Sequence, residues 1–134
     1  MDMKAINRAV IEQFRAGGEV EGMQREILTL LTTKGRKSGE ARTAPMMFNR
    51  IDDQLVVVAS NAGAAEPPEW YLNLIEHPSV TVELPDQTFE AVAEPAEGAS
   101  REALWSELKA RYPFFIEHEQ KAGREIPVVV LKRI

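Results

Sequence analysis

Six short stretches, most of them joined by tight turn signals, constrain this chain more than any other feature. Residues 27–33 form a brief run rich in leucine and threonine, and residues 42–50 follow after a glycine-containing loop. Asp52-Asp53 then marks a hairpin turn into residues 55–60, Leu-Val-Val-Val-Ala-Ser. That run is apolar without interruption, as a strand buried on both faces requires. Residues 79–84 alternate, turn at Pro85-Asp86-Gln87, and return along 88–93. The last stretch, 127–132, is placed at a sheet edge because Pro127 has no N–H to donate to a ladder. Strands joined by such short connections pair antiparallel, and a sheet of this kind relieves its exposed edges by curling. The expected class is α+β, mainly β: about six largely antiparallel strands in a barrel-like sheet with flanking helices.

The helices are read from a different period. Ile6, Ala9, Val10 and Phe14 recur at helical spacing between Asp2 and Arg15, and Gly17-Gly18 stops the run. Pro67-Pro68 suits the first turn of a helix that reaches Glu76 and ends before Pro78. Ser100 is expected to cap a helix running to Arg111, and a further piece from Pro113 to Ala122 ends at Gly123. A length of 134 residues fits one domain, 1–134, with an N-terminal helix over 1–16 and the strand-rich part over 27–134.

The residue inventory narrows the chemistry. The absence of cysteine removes disulfides, thiol nucleophiles and iron–sulfur clusters. The two histidines, His77 and His118, lie far apart, so no imidazole metal site is expected. Difficult redox chemistry therefore calls for a bound organic cofactor. No apolar run approaches the roughly 20 residues of a membrane span, and Lys4, Arg8 and Glu12 interrupt what would be a signal peptide. A cytoplasmic location is expected; attachment to a membrane surface stays open without a feature that calls for it. The net charge of −5 argues against a nucleic-acid partner. Yet four of the 16 Lys and Arg residues lie within 34–42, against the single acidic Glu40. A basic loop on an acidic chain invites a local anionic ligand.

Three groups of residues are candidates for function. Arg36, Lys37, Ser38 and Arg42 combine mobile positive charge, a hydroxyl and turn N–H groups, the mixture that phosphates and carboxylates need; the alternative is a solvated turn. Trp70, Tyr71 and Asn73, with Ser60 and Asn61 nearby, offer a flat apolar wall edged by polar groups; the alternative is that Trp70 and Leu74 simply anchor the helix. Tyr112, Phe114, Phe115 and His118 either line a pocket or fill core beneath the C-terminal helix.

Taken together these segments resemble the deazaflavin-dependent nitroreductase family. The matching stretches are Leu30-Leu31-Thr32-Thr33-Lys34-Gly35-Arg36-Lys37-Ser38-Gly39, Arg42-Thr43-Ala44-Pro45-Met46, Val57 to Gly63, Trp70-Tyr71-Leu72-Asn73-Leu74, His77-Pro78-Ser79-Val80, Tyr112-Pro113, and Arg124 to Val128. The resemblance implies a split β-barrel and a site for coenzyme F-420, with FMN as the alternative cofactor. It implies that Arg36, Lys37, Ser38 and Arg42 hold the phosphate and glutamyl tail. Pro45, Met46, Met47, Val58, Ala59, Ser60 and Asn61 would run along the cofactor, and Glu69, Trp70, Tyr71, Leu72 and Asn73 would border its ring. Met47, Tyr112, Phe115 and His118 would face the substrate, Phe115 nearest. The implied reaction is hydride transfer to a small electron-poor acceptor: a quinone, a conjugated enone or a nitroaromatic. Ser60, Tyr71 and Tyr112 are the candidate proton donors. A non-enzymatic cofactor-binding protein is the remaining alternative, and the oligomeric state is not legible.

Overall fold

A computed structural model describes residues 3–20 and 23–134; Asp2, where the first helix was expected to begin, lies outside them. The elements in chain order are α1 (Met3–Arg15), β1 (Leu28–Lys34), β2 (Ala41–Met47), β3 (Asn49–Ile51), β4 (Gln54–Val58), α2 (Glu69–Glu76), β5 (Ser79–Glu83), β6 (Thr88–Pro95), α3 (Gly98–Arg111), α4 (Phe114–Ala122) and β7 (Val128–Arg133). All seven strands belong to one antiparallel sheet in the order β2-β1-β5-β6-β7-β4-β3.

The two ends of that order are neighbours in sequence. β2 and β3 lie at opposite edges of the sheet, yet only Phe48 separates them in the chain. The sheet must therefore curl until its edges approach, which gives the half-barrel. The continuous strand expected over 42–50 is thus two strands, and the described residues hold seven rather than about six. Phe48 itself leaves the ladder and gives its N–H to the Ile27 carbonyl at 2.9 Å.

The curl creates an inside and an outside. Leu31, Val57, Val82, Ala91, Val129 and Leu131 fill the inside, joined by Leu74 from α2. Val56, Val128 and Val130 face the other way, beneath α3 and α4, against Trp105, Leu108 and Phe115. Because successive strand residues point to opposite faces, β4 and β7 are covered on both, and each fully buried side chain of this size contributes roughly 1.5–3 kcal/mol. Burial of 55–57 on both faces is as expected, although β4 ends at Val58 and leaves Ala59 and Ser60 in the following loop. Val10 and Phe14 of α1 cover Leu28 and Leu30 on the back of β1.

Three expectations need correction. β7 lies between β6 and β4 and is not an edge strand. Pro127 precedes its first residue, so the missing N–H costs no ladder bond, and its carbonyl accepts the Ala59 N–H at 3.0 Å. Ser100 does not cap α3: that helix begins at Gly98 with Glu97 before it. Elsewhere the turn chemistry holds. Asp52 and Asp53 both take positive φ, 51° and 65°, in the two-residue hairpin, and Gly123 ends α4 in the left-handed region; Pro67 and Pro68, expected in the first turn of α2, instead lie just before it, Pro68 extended.

Candidate functional site

The β1–β2 hairpin positions the basic loop. Lys34 pairs with Ala41, and the six residues between them fold back on themselves. The Gly35 N–H donates to the Glu40 carbonyl and the Gly39 N–H to the Gly35 carbonyl, both at 2.8 Å. A Cβ at Gly35 would stand 2.8 Å from Ser38 Oγ and 3.2 Å from the Glu40 carbonyl, so the loop closes over a residue with no side chain. Gly39 supplies the positive φ of 75° that the return requires.

Helix α2 locks onto this loop through Asn73. Its side chain is 4% exposed. Asn73 Oδ1 accepts the Arg36 backbone N–H at 3.2 Å and Arg36 Nη1 at 2.9 Å, while Nδ2 donates to Thr33 Oγ1 at 3.2 Å. One amide thus joins a strand, a loop and a helix. Arg36 Nη1 also donates to Glu69 Oε2 at 2.6 Å, and that bond holds the Glu69 carboxyl below the usual carboxylate range. Lys37 and Arg42 remain exposed, Arg42 with only long contacts to Glu40 at 3.5 Å and Ser38 at 3.4 Å.

Loop and helix enclose a cavity of about 480 Å³. The hairpin contributes Arg36, Lys37 and Ser38, and β2 contributes Arg42 with Thr43 and Ala44. Glu69, Trp70 and Asn73 form the α2 wall, and Asn7 of α1 completes the rim. Thr43 is steadied by its cross-strand partner Thr32, the two hydroxyls 2.8 Å apart. Seven of the residues expected to bind cofactor therefore meet in one place. Asn7, Thr43 and Ala44 were not foreseen as site residues. Asn7 shares the packed face of α1 with Val10 and Phe14, three and seven residues on, and a polar residue on that stripe was the signal that could have found it.

The other expected residues divide by face. Met46, Trp70 and Tyr71, all half-buried, pack on the inside of the half-barrel. Met47, Val58 and Tyr112 pack on the outer cluster under α3 and α4. Pro45 and Leu72 are half-buried, Ala59 and Ser60 are buried, and Asn61 is exposed with its amide donating to the Glu66 carbonyl at 3.0 Å. Tyr71 meets Trp70 edge-on, ring centroids 6.5 Å apart. Burial pushes the Tyr71 phenol up, Glu125 adds to the rise and Arg124 opposes it.

Phe115 is not where it was expected. It is 3% exposed, its ring 5.5 Å from Trp105, so it is core and the exposed aromatic of α4 is Phe114. Helical spacing alone does not tell these adjacent rings apart; only the docking of α4 does. His118 packs against Phe114, with Nδ1 buried and without a hydrogen-bond partner. The loop that follows β4 is held by a residue to which sequence reasoning gave no role. Arg124 donates to the carbonyls of Ala59, Ser60, Ala64 and Glu66 at 3.2–3.4 Å.

Comparison with known proteins supplies a context for this geometry. The profile of the family described as F420H(2)-dependent quinone reductase matches residues 5–133. A Mycobacterium tuberculosis protein named F420H(2)-dependent quinone reductase Rv1261c is 30% identical over 122 residues, covering 89% of this chain and 80% of that one. A solved F420-H2 dependent reductase superposes with a TM-score of 0.72 at 32% identity, covering 83% of this chain and all of its own. A haem-storage protein of Vibrio cholerae shares the fold, with a TM-score of 0.60 over 92% of this chain and 87% of its own, at 16% identity.

Proposed function

The chain belongs to the F420H(2)-dependent quinone reductase family, and from that premise we propose how its cavity and the loops around it carry out the reaction. It is a deazaflavin-dependent reductase whose cofactor is coenzyme F-420. The acceptor is a small molecule; its class is a quinone or a conjugated enone ahead of a nitroaromatic. No helix among the described residues is long and apolar enough to cross a membrane.

One observation supports the site assignment above the others: the basic hairpin and the Trp70 face of α2 border a single cavity. Its donors suit the cofactor. Lys37, Arg42 and the Ser38 hydroxyl stand together at one end, as a phosphate and carboxylates require. The volume, about 480 Å³, lies within the range of sites that take small molecules.

When bound, the reduced deazaflavin supplies a hydride, two electrons at once. The work of the chain is placement, since reacting atoms must come within roughly 3–3.5 Å. Lys37 and Arg42 hold the anionic end. Asn73 keeps the hairpin at a set distance from α2, and Trp70 gives the ring an apolar wall. Arg124 orders the loop of Ser60 and Asn61. Negative charge that develops on an acceptor oxygen needs a donor. Among Ser60, Tyr71 and Tyr112, Tyr71 is favoured because it adjoins Trp70, which lines the cavity.

Fluorescence titration with coenzyme F-420 and with FMN, followed by turnover against a soluble quinone, tests this reading. F-420 is expected to bind more tightly and to support turnover. Tighter binding of FMN, or F-420 binding without any acceptor reduced, would count against it.

A further inference from the structure

Arg36 is the cavity's best-placed cation, yet it is already engaged. Its two side-chain partners differ in kind. Asn73 is buried and also holds the loop's backbone, so it is part of the framework. The Glu69 side chain is 80% exposed and lines the cavity, and its contact with Arg36 is its sole ion pair among the described residues. It presents to Arg36 a carboxylate oxygen of the kind that a carboxylate or phosphate ligand would present, at 2.6 Å. Lys37 and Arg42, on the same cavity wall, have no comparably short anionic partner among the described residues.

We propose that Glu69 is a specificity determinant: an internal anion that occupies Arg36 and yields it only to a ligand carrying several negative charges. A singly charged ligand meets Lys37 and Arg42 but gains too little to displace a carboxylate already in contact. A polyanion engages Lys37 and Arg42 with some of its charges and competes for Arg36 with the rest. The site therefore offers Lys37 and the loosely held Arg42, with Arg36 as a third cation held in reserve, and it discriminates by charge number as well as by shape. This rests on the reading that the cavity takes the anionic end of the cofactor.

The test compares wild type, Glu69→Gln and Glu40→Gln, the last removing another exposed loop carboxylate that lies 3.5 Å from Arg42. Two probes are titrated, inorganic pyrophosphate by calorimetry and coenzyme F-420 by fluorescence, with a thermal melt on each variant. Freeing Arg36 for a charge-assisted bond at a part-exposed site should tighten both probes by about five- to tenfold in Glu69→Gln. Glu40 holds Arg42 only at 3.5 Å, so its loss should give a smaller gain, at most about a twofold change, in Glu40→Gln at physiological salt. Unchanged or weaker pyrophosphate binding in Glu69→Gln, or a gain no larger than that of Glu40→Gln, overturns the inference. A gain for pyrophosphate with no F-420 binding to any variant would uphold the role of Glu69 and overturn the cofactor reading instead.

Discussion

Replacing Asn73 with alanine should loosen the joint between the hairpin and α2. The side chain makes three hydrogen bonds: to the Arg36 backbone N–H, to the Arg36 guanidinium and to the Thr33 hydroxyl. Both Asn73 and Thr33 are almost wholly buried, so water cannot readily take over the lost contacts. Two neutral bonds at about 1 kcal/mol each and one charge-assisted bond at about 1.5 kcal/mol, its low end because Arg36 is partly exposed, predict a loss of about 3–4 kcal/mol. Asn73→Asp keeps an acceptor for Arg36 and loses the donation to Thr33, so its cost should be clearly smaller. Urea unfolding monitored by tryptophan fluorescence gives both values, with Ile75→Ala, an exposed position on the same helix, as the control. Since Asn73 also sets the distance between hairpin and helix, F-420 affinity should fall in the folded fraction of Asn73→Ala. A loss below about 1 kcal/mol, or Asp no better than Ala, would show that the amide is not what joins hairpin and helix.

Lys37→Ala should weaken F-420 binding by roughly tenfold, the low end for a charge-assisted bond because the lysine is exposed, while the single-turnover hydride rate at saturating cofactor stays constant; Trp70→Ala should lower that rate as well. Parallel losses of binding and rate in Lys37→Ala would contradict this division. Arg124→Ala should remove one donor from each of four loop carbonyls, seen as faster amide hydrogen exchange across residues 59–66 with α1 unaffected. Tyr71 should ionise above the ordinary tyrosine range, because burial disfavours the phenolate. The stability this contributes is complete below the unfolded phenol's value and is lost as pH rises through the folded one. An ultraviolet difference titration of wild type against Tyr71→Phe measures it, and an ordinary value would show that the phenol is not desolvated where it sits.

Local chemistry made much of this protein legible before any fold was in hand. Period-two and apolar runs marked the strands, because a side chain's face is decided by its position along the strand. Asp52-Asp53, Pro67-Pro68 and Gly123 marked ends and turns, because their backbone preferences act within a few residues. The basic cluster at 34–42 announced an anion site for the same reason: its charges sit on one short loop. Tertiary structure decided what depends on residues distant in sequence. Phe48 separates two strands at opposite sheet edges, a fact of closure that no window of sequence contains. Pro127 suggested an edge, yet the strand it precedes ends up between two others, because sheet order depends on which faces need covering. Phe114 and Phe115 are equivalent by composition, and the docking of α4 on Trp105 buries one and exposes the other. Arg36 shows the limit most directly. Sequence identifies it as a cation free for a ligand, whereas a helix 33 residues further on brings Glu69 and Asn73 to its guanidinium. Charge is written in the chain, but the partners of a charge are assigned by packing.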